Sequence, residues 1–375
     1  MTDRIAAQID FLCEADRLKS VDRANVLMDL SRAENSAEHS WHVALWAMVF
    51  GASDRTIAML LLHDLVEIDV GDQPIHLAHD AGALMQAELR AATRIFGLLP
   101  EGGNWLDLWR EFEAGLTPDA RFAKRMDHCQ PLFQVLLTRD PLPQHVQIVR
   151  DNLDRGRAAR LHAEWPEAIH AARSLLDQGT APTGDLGARL GFLAEADALK
   201  SVIRANVLID ASRRENSAEH SWHLALYALV LREHAHDGVD ISRVIRMLLL
   251  HDLVEIDVGD VPLHSAQGQA HGSASIQAAE ARAARRIFGL LPTSQGADYL
   301  SLWQEFEAAQ TPDAIFAKSL DRCQPAVQNL RSGGVGWREY SVSYADLVTR
   351  VGARVHPGAP ALWGWLDLRL RDHFR

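Results

Sequence analysis

The chain repeats itself, and the repeat limits what it can fold into more than any other feature. Residues 11–50 (FLCEADRLKSVDRANVLMDLSRAENSAEHSWHVALWAMVF) return as residues 192–231 (FLAEADALKSVIRANVLIDASRRENSAEHSWHLALYALVL), and LLLHDLVEIDVGD at 60–72 returns at 248–260. The offset between matched positions is 181 at His39 and His220, 188 at His63 and His251, and 194 at Asp127 and Asp321. It grows only between motifs, around Arg232 to Asp240 and again after Asp260, which places the insertions in loops. Such a period is too long for a solenoid unit, so the sequence predicts a duplicated domain, each copy with its own core. The joint falls in 177–185 (DQGTAPTGD), where Gly, Pro and Thr gather, giving domains 1–180 and 181–375.

Each copy reads as helical. Asn35-Ser36-Ala37-Glu38 offers an N-cap residue with a Glu three positions later, and Trp41, Ala44, Leu45, Met48 and Val49 follow at helical spacing; Asn216 to Glu219 opens the matching helix. Ser53–Val70, Ala87–Phe96, Trp105–Ala114 and the proline-initiated Pro118–Leu136 continue the pattern, with Gly97 and Gly115 as stops. Val146–Leu175 and Tyr344–Phe374 read as helical tails; they differ most between the copies and are placed to set substrate access or packing between domains. No period-two strand pattern is evident, and the expected fold class is all-α, two helical bundles in tandem.

Composition excludes several function classes. A chain with 47% apolar and 23% charged residues is a soluble globular protein. A formal charge of −12 without a basic run argues against a nucleic-acid partner. No apolar run reaches the length of a bilayer span, and charge interrupts the first residues where a signal peptide would be apolar. Cys13, Cys129 and Cys323 form neither a CxxC pair nor an even disulfide set, so they read as plain thiols. A cytoplasmic protein without a membrane partner is expected.

Within LLLHDLVEIDVGD an apolar run carries His63 beside Asp64, with Glu67 one turn on. Polar groups in a core helix ask for a metal or a catalytic task. Consecutive helical residues lie about 100° apart, so both reach one point, and Glu67 at i+4 from His63 faces nearly the same way. A divalent cation takes about four to six N and O ligands, so partners must come from other helices. His39, in the opening turn of the preceding helix, and Asp127, within FAKRMDHCQP, are the candidates; His220 and Asp321 repeat them beside His251 and Asp252. Two His and two carboxylates per half suit one divalent ion, whether Mn, Co, Fe, Ni, Zn or Mg. Glu67 and Glu255 are placed to take a proton from water or to orient it, which leads to hydrolysis.

The order of these residues resembles the HD-domain metal-dependent phosphohydrolases, all-helical proteins with the pattern H…HD…D. Within them, ENSAEHSWH, LLLHDLVEIDVGD and FAK-x-x-D look like the branch that includes the bacterial 5′-deoxynucleotidases, over nearly all of Phe192–Arg375 and most of Phe11 to about Leu136. The resemblance implies that His39, His63, Asp64 and Asp127, and likewise His220, His251, Asp252 and Asp321, are metal ligands. It implies that Glu67 and Asp72, with Glu255 and Asp260, act on the water or leaving group, and that Arg23 and Arg204 hold the phosphate. The substrate implied is a small phosphate monoester, foremost a (deoxy)nucleoside 5′-monophosphate. Where the deoxynucleotidases carry a bulky aromatic that helps to exclude a ribose 2′-hydroxyl, this chain has Ala24 and Ala205, so the deoxyribose preference is not carried over.

His76 and His264, each 13 residues past the HD histidine, stand where they donate a proton to a leaving oxygen or add a ligand. Lys124 and Lys318 lie one turn before the last Asp, to meet a phosphate oxygen or pair with a neighbouring carboxylate. His42 and His223, three residues past the ligand histidines, read as satisfied core or surface residues ahead of donors that support those ligands, and the pairs Trp41/Trp222 and Trp109/Trp303 read as core ahead of base-stacking platforms. Two other functions use the same residues. An HD-type di-iron oxygenase needs further histidines before the last Asp, where only His76 and His264 are repeated; a nucleotide-binding regulator without catalysis is opposed by the complete sets in both copies. Duplication implies an intramolecular pseudo-dimer of the halves, with further oligomerisation open.

Overall fold

A computed structural model describes residues 2–74, 80–263 and 273–375. The first half runs α1 (Thr2–Ala15), a hairpin of β1 (Asp22–Val26) and β2 (Ala33–Asn35), then α2 (Ser36–Val49), α3 (Asp54–Leu62), α4 (Glu67–Val70), α5 (Ala81–Phe96), α6 (Gly102–Ala114), α7 (Pro118–Leu137), α8 (Pro143–Arg155), α9 (Leu161–Glu164) and α10 (Pro166–Gln178). The second half repeats this order as α11 (Gly184–Ala196), the hairpin β3 (Ile203–Val207) and β4 (Arg214–Asn216), α12 (Ser217–Val230), α13 (Ile241–Leu250), α14 (Glu255–Val258), α15 (Ala274–Phe288), α16 (Thr293–Ala308) and α17 (Pro312–Arg331). It closes differently, on α18 (Val335–Glu339), α19 (Tyr344–Leu347), α20 (Ala353–Gly358) and α21 (Pro360–His373). The fold is all-α, as expected.

Two short hairpins were not evident from the sequence. Their strands are five and three residues long with an irregular register, Asp22 opposite Asn35 but Val26 opposite Ala33, too short and too bulged for alternation to show. The expected caps are present. Asn35 Oδ1 accepts from the amides of Ala37 and Glu38 while Glu38 Oε1 accepts from the Asn35 amide at 2.8 Å, and Asn216 with Glu219 repeats the box. The tails are helical, as expected, and are interrupted at Trp165 before Pro166 and at Ala359 before Pro360, because a residue preceding proline is forced out of the helical region.

The expectation of two separate cores is corrected. Every residue of α2 and of α12 is buried, and a helix without a solvent face must lie centrally. These two helices pack on each other, so one hydrophobic cluster runs through both halves. The contacts are reciprocal. Trp41 Nε1 donates to the Leu249 carbonyl and Trp222 Nε1 to the Leu61 carbonyl, each at 3.1 Å. Asn35 Nδ2 donates to Glu219 Oε1 at 2.6 Å, and Asn216 Nδ2 to Glu38 Oε2 at 2.8 Å. The same Asn thus caps its own helix with its oxygen and holds the other half with its nitrogen.

Candidate metal centres

The HD dipeptide does not ride on a continuous helix with Glu67, as the sequence suggested. Helix α3 stops at Leu62, residues 63–66 form a 3-10 turn, and α4 starts at Glu67. His63 Nδ1 lies 2.8 Å from the Leu60 carbonyl oxygen, an acceptor that a continuing helix would give to the amide of residue 64. His251 Nδ1 takes the Leu248 carbonyl at the same distance, and the backbone beyond it bonds three residues apart, Leu253 N to Leu250 O at 3.1 Å and Glu255 N to Asp252 O at 2.9 Å. Residues three apart in such a turn lie over one another, so it is Asp64 and Glu67 that share a side.

With Nδ1 engaged, His63 presents Nε2 inward. That atom and His251 Nε2 are buried without a hydrogen-bond partner among the described residues. In each half two carboxylates and a second imidazole, from three elements in all, gather about this atom. His63 Nε2 lies 3.2 Å from Asp64 Oδ1 and 3.8 Å from Asp127 Oδ1, while His39 Nε2, from α2, lies 3.4 Å from Asp127 Oδ1 and 3.9 Å from Asp64 Oδ2. In the second half His251 Nε2 lies 3.0 Å from Asp252 Oδ1, and His220 Nε2 lies 3.3 Å from Asp321 Oδ1 and 4.0 Å from Asp252 Oδ2. All eight residues expected as ligands therefore gather in two groups of four. Two imidazoles, two carboxylates and an orphaned buried nitrogen form a donor set that fits a divalent cation.

The electrostatics point the same way. Burial works against protonating His63, yet Asp64 and Asp127 prevail and push it up to about 9, so the ring of acids attracts positive charge. Burial, then the nearby Asp64, pushes the Glu67 carboxyl up to about 8, and Glu255 is raised well above the usual range for the same reasons.

Arg23, on β1, reaches over this ring. Its Nη1 lies 3.0 Å from Asp64 Oδ2, 3.6 Å from Glu67 Oε1 and 3.5 Å from Asp72 Oδ1; Arg204 Nη1 lies 2.7, 3.7 and 3.8 Å from Asp252, Glu255 and Asp260. Gly71 and Gly259, at φ +72° and +73°, make the turn that brings the next Asp back to the hairpin, a conformation other residues resist. There Asp72 Oδ2 accepts from the Ala24 amide at 3.3 Å, and Asp260 Oδ2 from the Ala205 amide at 3.1 Å. Both aspartates brace the arginine strand. Lys124 and Lys318 line the same clefts but pair with Glu113 (3.4 Å) and Glu307 (2.9 Å), over the rings of Phe112 and Phe306. His76 and His264 lie outside the described residues.

Of core and surface, the structure gives His42 and His223 the core, at the seam between the halves: His42 Nε2 meets the Leu193 carbonyl at 3.0 Å and His223 Nε2 the Leu12 carbonyl at 2.9 Å. Residue-by-residue reading missed several neighbours of the site. Ser36 Oγ donates to Glu67, and Ser217 Oγ to Glu255 at 2.5 Å. Glu34 stands behind His39, and Glu215 behind His220. All four fall in the repeated segments, unchanged between the copies, and that identity was the available signal. The three cysteines are free thiols. No helix among the described residues is long and apolar enough to cross a membrane.

Known proteins are similar to this chain. The HD domain family matches residues 15–169 and again 196–363. The 5′-deoxynucleotidase HDDC2 of Homo sapiens is 29% identical over 160 residues, which cover 42% of this chain and 68% of that protein; that of Mus musculus is 30% identical over 149 residues, 40% of this chain and 71% of that protein. Among solved structures, a predicted metal-dependent phosphohydrolase from Magnetospirillum magnetotacticum MS-1 is 42% identical with a TM-score of 0.46, covering 50% of this chain and 95% of that one. With both halves matched, and each half holding an adjacent His and Asp against two further donors, the chain belongs to the HD domain family, whose domain it carries twice.

Proposed function

We propose that this chain is a metal-dependent phosphohydrolase that releases phosphate from nucleoside 5′-monophosphates, with one divalent cation in each half held by His39, His63, Asp64 and Asp127 or by His220, His251, Asp252 and Asp321. The observation that carries the reading is the buried Nε2 of His63 and of His251, without a hydrogen-bond partner among the described residues and each facing carboxylates with an arginine above. The relatives named 5′-deoxynucleotidase, 22–30% identical over part of the chain, support the substrate class.

When bound, a divalent cation supplies Lewis-acid activation of the phosphate ester and of water. The remaining work belongs to the protein. Arg23 or Arg204 offers its guanidinium to the phosphoryl oxygens, leaving the carboxylates it now touches. Glu67, held by Ser36 Oγ and with its carboxyl raised above the usual range by burial and by Asp64, is the group placed to handle the water proton. Asp72 and Asp260 keep the arginine strand in register by holding the Ala24 and Ala205 amides. Those small alanines line both clefts, so ribo- and deoxyribonucleotides are both accommodated. We further propose that residues 1–180 and 181–375 are the two domains, packed as an intramolecular pseudo-dimer, and that the three free thiols suit a reducing, cytoplasmic setting.

Phosphate release from a panel of nucleoside monophosphates and sugar phosphates, with Mn2+ or Co2+ added, tests the reading on the unsubstituted chain, Asp64→Ala, Asp252→Ala and the double variant. Loss of activity only in full when both are changed is expected. Full activity in the double variant would sink the proposed sites.

A further inference from the structure

Two lysines are buried at the seam between the halves. Lys200, from the second half, donates to Glu34 Oε1 of the first half at 2.6 Å and to Asp197 Oδ1 at 2.5 Å, and its Nζ lies 3.0 Å from His42 Nδ1. Lys19, from the first half, donates to Glu215 Oε1 of the second half at 2.7 Å and to Asp16, and lies 3.0 Å from His223 Nδ1. All of Lys19, Lys200, Glu34 and Glu215 are fully buried. A buried lysine is stable only where carboxylates surround it, and here one of them always belongs to the other half.

The second oxygen of each glutamate faces the proposed metal ligands. Glu34 Oε2 lies 3.4 Å from His39 Nδ1 and 3.8 Å from Arg23 Nε; Glu215 Oε2 lies 3.5 Å from His220 Nδ1 and 3.7 Å from Arg204 Nε. Glu34 Oε2 and His39 Nδ1 are both buried and without a hydrogen-bond partner among the described residues, so each is the other's natural partner. A carboxylate at Nδ1 fixes the tautomer that presents Nε2 and makes it a better donor to a metal.

We propose that Lys200 and Lys19 are positioning residues for the metal centres of the opposite halves, Lys200 through Glu34 and His39, Lys19 through Glu215 and His220. The proposal rests on the metal-centre reading above. It makes each cleft incomplete without the other half, which gives the fused core a role in the chemistry. The dependence is unequal: His220 Nδ1 also lies 3.1 Å from Gln324 Oε1, a second acceptor, whereas Gln130 Oε1 in the first half is unpartnered among the described residues. Losing Lys200 should therefore hurt its target more than losing Lys19.

The test reads metal binding, not turnover. Asp321→Ala leaves the first cleft alone and Asp127→Ala leaves the second. In each background, Lys200→Met, the charge-balanced pair Lys200→Gln with Asp197→Asn, and Glu34→Gln are titrated with Mn2+ by calorimetry, and the visible absorption of bound Co2+ is recorded. All three should raise the Mn2+ Kd of the first cleft about 10- to 100-fold and move its Co2+ bands, while leaving the second cleft within about twofold. Lys19→Gln with Asp16→Asn should do the converse, with a smaller change. Unchanged binding in the first cleft, equal weakening of both clefts, or failure of both Lys200 variants to fold would overturn the proposal and leave the lysine a purely structural residue. An unsubstituted chain that binds two Mn2+ ions yet hydrolyses no phosphate ester would instead overturn the phosphohydrolase reading and leave the crossed dependence standing.

Discussion

The two clefts share a floor and differ in their walls. Around the HD pairs the distances repeat within a few tenths of an ångström, from His39–Asp127 at 3.4 Å and His220–Asp321 at 3.3 Å to the reach of Arg23 and Arg204. Away from them the copies part. The first cleft has a volume of about 810 Å³ and is walled by α8 through Gln144, Ile148 and Asn152, with His128 beside Asp127. The second is about 360 Å³, narrowed by Trp337, Tyr340 and Arg354 from the divergent tail, and carries Arg322 beside Asp321, 3.3 Å from its Oδ2. The duplicated core thus keeps four donors, an arginine and a glutamate in place while the walls around them change.

The largest expected effect breaks this comparison directly. If the walls select, Asp64→Ala and Asp252→Ala lose different substrates from a common panel, each by about 10³-fold in phosphate release, the scale of removing a metal-based activation. Equal fractional loss on every substrate would show that the walls do not discriminate. The larger substrates should belong to the first cleft.

The shared floor predicts a stability effect of the next size. Saturating Mn2+, at about one hundred times Kd, should stabilise each intact cleft by about 2.7 kcal/mol, seen in thermal or urea unfolding against the chelated chain. Asp127→Ala and Asp321→Ala should each keep one cleft's share of that gain. Because one core runs through both halves, the chain should unfold in a single transition with either variant. Two separated transitions would restore the picture of independent domains.

How much of this was legible in the sequence follows from locality. The capping box at Asn35 to Glu38 and the proline at the start of α7 are local signals, and they were readable as written. The clustering of His39, His63, Asp64 and Asp127 was readable because the set occurs twice in one order. The fused core was not, because the apolar residues of α2 tell that the helix is buried but not what covers it, and its five buried polar residues give no sign of burial in the sequence. Lys19 and Lys200 were not either, since a lysine reads as a surface residue until the glutamate from 166 or 196 positions away is placed against it. The 3-10 turn at His63 escaped for a related reason: a ring nitrogen taking the Leu60 carbonyl leaves no mark in apolar spacing.

Exchanging one wall residue sharpens the comparison at smaller scale. In an Asp64→Ala background, where only the second cleft remains, Arg322→His should lower kcat/KM by about tenfold, or about 1.4 kcal/mol, for substrates carrying more than one anionic group, and less for simple monoesters. The converse change, His128→Arg in an Asp252→Ala background, should raise the first cleft's preference for the same substrates. An identical drop for every substrate would assign Arg322 to holding Asp321, not to selection.

The smallest effect lies in a pair of tryptophans that the repeat makes equivalent and the structure does not. Trp303 Nε1 donates to the His251 carbonyl at 3.2 Å and so ties α16 to the backbone of the HD pair, whereas Trp109 Nε1 is buried without a partner among the described residues and its ring forms part of the first cleft's wall. Phenylalanine at either position removes the same indole edge. Trp303→Phe also leaves the His251 carbonyl without that donor, at a cost of about 1 kcal/mol, and Trp109→Phe relieves an unmade bond. Urea midpoints should therefore fall more for Trp303→Phe, while substrate KM should shift more for Trp109→Phe. Equal changes in both quantities would mean that the tryptophans are interchangeable core and that the difference between the clefts begins farther out, at the tails.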